Sequence, residues 1–207
     1  MAGFAELARL ADELAGEAGR LKKRAAIAEA VGRIAAESVE DAGRFCLYLA
    51  GQPFAEADPR KLNAGGALLT RAVKSISGCT DAALTAAYRR HGDLGAAAAD
   101  LWASSDPNAP TSQSRDVGHP LLLAEVAGAF EVMAGARTTA VRAATVEGLL
   151  HRATALEAKY LLKLMLGDMR IGVKQSLIEE AIAVASGADV VAVRHAVMLE
   201  ADLARAV

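Results

Sequence analysis

Aromatic residues make up only 4% of this 207-residue chain, cysteine occurs twice and proline five times. Each shortage excludes a class of protein. Strand-forming residues are scarce, which argues against a sheet-based fold. Cys46 and Cys79 lack C-x-x-C spacing, so neither a disulfide scaffold nor a cysteine metal site is written here, and both read as small buried hydrophobes. The apolar run from Leu161 to Leu166 is interrupted by Lys163 and falls far short of the roughly 20 residues that cross a bilayer, so no membrane partner is expected. The first helical stretch carries Glu6, Asp12, Glu13 and Glu17, the wrong charge for a signal peptide. A reducing cytoplasm is the expected compartment.

Alanine is what the chain has instead, 49 residues of it within a 53% hydrophobic composition. Alanine is the best helix former, and the expected fold class is all-α. At this length roughly 70% of the unfolded surface can be buried, in one large domain or two small ones. Phe4, Leu7, Ala8, Ala11 and Leu14 form one helical stripe, and Ile27, Val31, Ile34 and Ala35 another. Further helices are predicted at about 39–50, 67–77, 81–91, 93–102, 120–134, 139–152, 155–166, 173–185 and 189–207. Thr154 with Glu157 has capping-box spacing. A run rich in Ser, Asp, Pro and Asn reads as a loop, 103–119, joining two helical halves, about 1–102 and 120–207, of a single domain.

The halves repeat. Residues 61–98 align on 170–207 without gaps at an offset of 109, placing Leu68 on Leu177, Ser77-Gly78 on Ser186-Gly187 and Asp93-Leu94 on Asp202-Leu203. Upstream, the helix ending at Gly51 corresponds to the one ending at Gly167, with the first copy's connection seven residues longer, through Gln52 to Arg60. Alanine-rich helices can align by chance, but Ser-Gly and Asp-Leu landing in register weigh against that. An internal pseudo-twofold repeat is expected.

Catalytic constellations are missing. His91, His119, His151 and His195 stand outside any metal-ligand spacing, no H-E-x-x-H, G-x-S-x-G or Walker loop occurs, and Glu179-Glu180 point to different helix faces. No catalytic residue and no metal site is expected. The net charge of −2 hides an uneven distribution: 1–19 holds four acids and one Arg, whereas 151–175 holds Arg152, Lys159, Lys163, Arg170 and Lys174 against Glu157 and Asp168. Within the basic segment, Gly167-Asp168-Met169-Arg170-Ile171-Gly172 opens directly onto a helix. Its counterpart is Arg60-Lys61-Leu62-Asn63-Ala64-Gly65-Gly66. Cations beside glycine at a helix start suit phosphate, because the helix end offers unpaired N–H groups and a positive dipole end. Ordinary glycine-capped turns would look the same, and spacing alone does not separate the two.

The residues resemble a known family. Glu157-Ala158-Lys159-Tyr160-Leu161, then Gly167 to Val173 and a helix containing Ala181 to Ala185, is similar to the signature near the end of the N-terminal DNA-binding domain of ATP-dependent DNA ligases. Lys61 to Leu69 resembles that family's Leu-Gly-x-Gly turn and helix, and His91-Gly92-Asp93-Leu94-Gly95 its Gly-Asp-hydrophobic-Gly. The resemblance implies an all-α domain with pseudo-twofold symmetry that grips duplex DNA, nicked in the functional state, across the minor groove and phosphates without reading sequence. It implies roles in replication, repair and recombination, a cytoplasmic, nucleoid-associated location, and the adenylation and OB-fold domains of the same ligase as partners. Carried over by position, the implied DNA contacts are Arg60, Lys61, Asn63, Gly65, Gly66, Lys159, Lys163, Gly167, Arg170, Gly172 and Lys174. Asn63 stands where the family's first turn has Gly, and Asp168 where relatives often carry a basic residue. No K-x-D-G occurs at any lysine, so ATP and magnesium are expected to belong to other domains, and this chain alone is not expected to ligate. The second copy stops before positions matching Leu101 and Trp102, which is expected of a domain cut from a longer ligase or of a naturally short chain. The alternative reading is a helical interaction scaffold that binds no nucleic acid.

Overall fold

The structure, a computed structural model, describes residues 1–104 and 120–207. From position 105 onward the predicted loop lies outside the described residues, and so does His119. Helices form where the stripes place them: α1 (Phe4–Gly16), α2 (Arg20–Glu37), α3 (Val39–Leu49), α4 (Gly66–Ser77), α5 (Asp81–His91), α6 (Leu94–Ser104), α7 (Leu123–Gly135), α8 (Thr139–Arg152), α9 (Ala155–Met165), α10 (Gln175–Ser186) and α11 (Val190–Glu200). The fold is all-α. Among the described residues the only extended pairing is an isolated bridge between Gly3 and Leu122.

Two expectations need correcting. The helix predicted over 189–207 breaks at Ala201, whose φ of +46° is left-handed; Asp202 then caps a short 3-10 turn, Leu203–Ala206, through the Ala204 N–H at 2.8 Å. Apolar spacing ran through the break because Leu203 is itself buried. Cys46 is buried as expected, but Cys79 is only half-buried, because it lies in the short connection between α4 and α5.

Side chains fix the helix starts. Thr154 accepts from the Glu157 N–H at 3.3 Å while Glu157 accepts from the Thr154 N–H at 2.9 Å, closing the predicted capping box. Ser38 caps α3 through the Asp41 N–H, and Thr80 caps α5 through the Ala83 N–H.

Helices 109 residues apart share local geometry. α4 and α10 are both 12 residues long, and α5 and α11 both 11, each pair 109 apart. Ser77 and Ser186 both donate to the carbonyl four residues back, at 2.8 and 2.9 Å, and Gly78 and Gly187 follow in left-handed conformation. α3 and α9, 116 apart, end alike: Gly51 N–H donates to Tyr48 O and Gln52 N–H to Leu47 O, as Gly167 donates to Leu164 O and Asp168 to Lys163 O. At the bridge, Phe4 N–H donates to Leu121 O at 2.6 Å and Leu123 N–H to Ala2 O at 3.0 Å, joining the starts of α1 and α7, both 13 residues long.

Packing crosses between the N-terminal and C-terminal helices. α4 packs on α8 while α10 packs on α2, α1 lies on α9 while α7 lies on α3, and α6 packs on α9 while the 3-10 turn packs on α3. The buried apolar residues of both halves therefore form one cluster, with Phe4, Phe45, Tyr48, Phe130 and Tyr160 among its largest members. That shared core holds the two inter-helix turns in place.

Candidate nucleic-acid interface

The second turn follows α9. Met169 and Ile171 are buried and pin it, while the alternate positions Asp168, Arg170 and Gly172 are exposed. Arg170 adopts φ +51°, its Nε donating to Asp168 Oδ2 at 2.8 Å and its Nη1 to the Gly92 carbonyl, at the end of α5, at 2.9 Å. From Met169 to Lys174 no backbone N–H finds an acceptor among the described residues. Lys174 then occupies the N-cap of α10, exposed and without an ion pair among the described residues. Six consecutive free donors, a cation and a helix N-terminus make this a surface suited to an anion.

The first turn repeats the alternation. Leu62 and Ala64 are buried, while Lys61, Asn63, Gly65 and Gly66 are exposed. Asn63 takes φ +50°, matching Gly172 at +62° one repeat later, and its Nδ2 donates to Lys61 O at 3.2 Å. The replacement of glycine at this position is therefore tolerated, because Asn enters the left-handed region more readily than other side chains. N–H groups from Lys61 to Gly65 have no acceptor among the described residues. Lys61 has no ion pair there, whereas Arg60 is held by Asp58 at 2.6 Å and lies over the Phe54 ring at 4.9 Å. The two Arg-bearing ends are thus partly neutralised, and Lys61 and Lys174 are the freer charges.

Lys163 and Lys159 are placed differently from their sequence assignment. Lys163 is 5% exposed, its ammonium 3.1 Å from Asp93 Oδ2, so it is unavailable to a ligand at the surface. Its position on α9 matches Leu47 on α3, an apolar site, and the helix turns it inward against α6. Burial opposes ionisation of Asp93, but the Ala96 N–H and the Lys163 ammonium outweigh it and hold the carboxyl below its ordinary value. Lys159 reaches Asp12 on α1 at 2.6 Å, and the Tyr160 hydroxyl donates to the same oxygen at 3.1 Å. Both lysines neutralise carboxylates and brace α9.

Two residues that the sequence reading passed over touch the second turn. Lys23 of α2 is 7% exposed, and its Nζ donates to Ile171 O at 2.7 Å and lies 3.4 Å from Gly172 O. Its signal was present: Lys23 falls on the buried stripe Lys23, Ile27, Ala30 and Ile34, where a lysine needs a reason. Gln52, just after α3, donates to Gln175 Oε1 at the start of α10 at 3.2 Å. Beside it the backbones of Gly51 and Gly167 face each other: a Cβ on Gly51 would lie 3.5 Å from Gly167 O, and one on Gly167 would lie 3.8 Å from Gly51 O.

No lysine stands in K-x-D-G, and among the described residues no group of three or more His, Cys, Asp or Glu is placed to hold a metal. His91 lies 3.2 Å from Asp100, and His151 and His195 are exposed.

Comparison with known proteins places the chain in a family. The family model described as DNA ligase N terminus matches residues 3–183, and the chain belongs to that family. It is 40% identical over 182 residues to a probable DNA ligase of Koribacter versatilis, covering 88% of this chain and 30% of that protein. It is 33% identical over 225 residues to a probable DNA ligase of Opitutus terrae, covering 97% and 22%. To the DNA ligase of Methanopyrus kandleri it is 38% identical over 160 residues, covering 76% and 28%. The chain spans less than a third of the length of these relatives.

Proposed function

We propose that this chain is the duplex-binding module of an ATP-dependent DNA ligase, holding nicked DNA by its phosphates across the minor groove without reading sequence. The observation that carries the proposal is the matched pair of turns. Each alternates buried anchors with exposed cations and small residues, presents a run of unpaired N–H donors, and opens onto a helix N-terminus. The working surface comprises Arg60, Lys61, Asn63, Gly65, Gly66, Gly167, Arg170, Gly172 and Lys174, with Lys159 and Lys163 as internal supports. Phosphate contacts of this kind position a protein and carry no base preference. The reciprocal packing, the bridge at Gly3 and Leu122, and the Gly51–Gly167 approach support a pseudo-twofold axis relating 61–98 to 170–207, which would match a dyad of the duplex. The adenylation and OB-fold domains that complete such a ligase, together with their ATP and magnesium, would be partners of this module in replication and repair, at the nucleoid.

Fluorescence anisotropy with a labelled nicked duplex at two salt concentrations tests this reading. Expected is binding that weakens steeply with salt, with a slope of about −0.9 per phosphate contact, and no dependence on sequence. Binding that is absent at low salt would leave the helical scaffold as the better description.

A further inference from the structure

Two lysines of this fold are buried, and they differ in one respect. Lys163 has a carboxylate, Asp93, at 3.1 Å. Lys23 has none within ion-pair distance among the described residues; its ammonium meets only the carbonyls of Ile171 and Gly172. The carboxylates of neighbouring elements serve other cations. Glu180 pairs with Arg20 at 2.6 Å and Arg194 at 3.2 Å, Glu179 lies 3.5 Å from Arg194, Asp168 holds Arg170 at 2.8 Å, and Glu17 lies 3.7 Å from Lys22. An ammonium taken out of water without a counter-charge is costly, and carbonyl dipoles offset only part of that cost.

Gly172 completes the contact. Its φ is +62°, a left-handed conformation that suits glycine, and a Cβ there would lie 2.7 Å from Lys23 Nζ, pressing on the end of the lysine. These two carbonyls face α2, in a turn whose N–H groups from Met169 to Lys174 have no backbone acceptor among the described residues.

We infer that Lys23 is the positioning residue of the second turn, orienting its carbonyls inward and supplying from beneath a positive charge whose counter-ion is a phosphodiester of the bound strand. The inference rests on the proposed duplex binding and adds a residue that never touches the DNA. A preorganised charge of this kind acts without reorganising on binding, and being buried it is screened by salt less than a surface lysine.

The test compares Lys23→Gln, Lys23→Met and Lys23→Arg with the wild-type chain in anisotropy titrations against nicked duplex, with circular dichroism to follow helicity. Lys23→Gln and Lys23→Met are expected to lose roughly tenfold in affinity, the scale of one unit charge acting across a protein–water boundary. Lys23→Arg, which keeps both the charge and the donors, is expected to bind more tightly than either neutral variant, and Lys23→Gln, which keeps a donor without the charge, separates charge from hydrogen bonding. If Lys23→Gln binds like wild type, or Lys23→Arg is as weak as Lys23→Gln at equal helicity, the inference is overturned while duplex binding stands. A wild-type chain that binds no duplex overturns both. Should the neutral variants lose helicity, the wild-type chain decides: the Lys23 ammonium nitrogen resonance shifts on adding nicked duplex if the inference holds. It stays fixed while Arg170 signals move if the inference is wrong.

Discussion

At the residue scale, the cations of the basic segment divide by partner. Sequence put Lys159, Lys163, Arg170 and Lys174 in one field, but Asp12 and Asp93 take up the first two, so Arg170 draws little support from them. Charge clustering along a sequence does not show which lysines a helix turns inward, and that is why the burial of Lys163 and of Lys23 was not foreseen. Replacing Lys163 by Met leaves half-buried Asp93 with the Ala96 N–H but no cation, and is expected to cost about 1–3 kcal/mol in chemical denaturation. Asp93 also sets a pH dependence. Its carboxyl titrates below the ordinary 3.8, so it stabilises the fold fully above that value and progressively less as pH falls below it. The thermal midpoint of wild type should therefore drop more steeply below about pH 4 than that of Asp93→Asn. On the surface, Asp168→Asn frees Arg170 of its 2.8 Å partner and should tighten duplex binding with helicity unchanged, a gain that anisotropy at fixed salt would register. Unchanged or weaker binding would mean that Arg170 does not face the DNA.

At the element scale, most of the fold was legible, because alanine-rich helices with clear stripes and Ser, Thr or Asp caps carry their boundaries in the sequence. The helices over 81–91 and 139–152 begin and end where spacing placed them. The 189–207 helix was overrun because a left-handed alanine, Ala201, gives no warning that a glycine would. Close helix packing was also invisible. Gly43 on α3 faces the 3-10 turn, where an added Cβ would sit 2.6 Å from Ala204 O, and Gly95 on α6 meets the Lys159 carbonyl in the same way. Gly43→Ala should destabilise by about 1–3 kcal/mol, since backbone must move to admit the methyl. Gly128, within α7 and with nothing within 4 Å of its Cβ position, should behave oppositely. Its change to Ala is expected to stabilise by up to about 1 kcal/mol. Denaturant midpoints for the pair separate a packing glycine from an idle one, and equal shifts would mean that the α3 contact is not as close as it stands here.

At the scale of the whole molecule, the halves lend each other their packing surfaces, so neither turn is positioned by its own copy alone: α10 is seated on α2 and α4 on α8. A two-handed grip on one duplex follows if both turns meet the same groove. Hydroxyl-radical footprinting on an end-labelled nicked duplex tests this most directly, with wild type, Lys61→Glu and Arg170→Glu compared at saturating protein. Expected are two protected stretches facing each other across the minor groove on either side of the nick, one weakened by each variant, at every sequence tried. No protection, or one stretch lost equally to both variants, would contradict the two-turn grip.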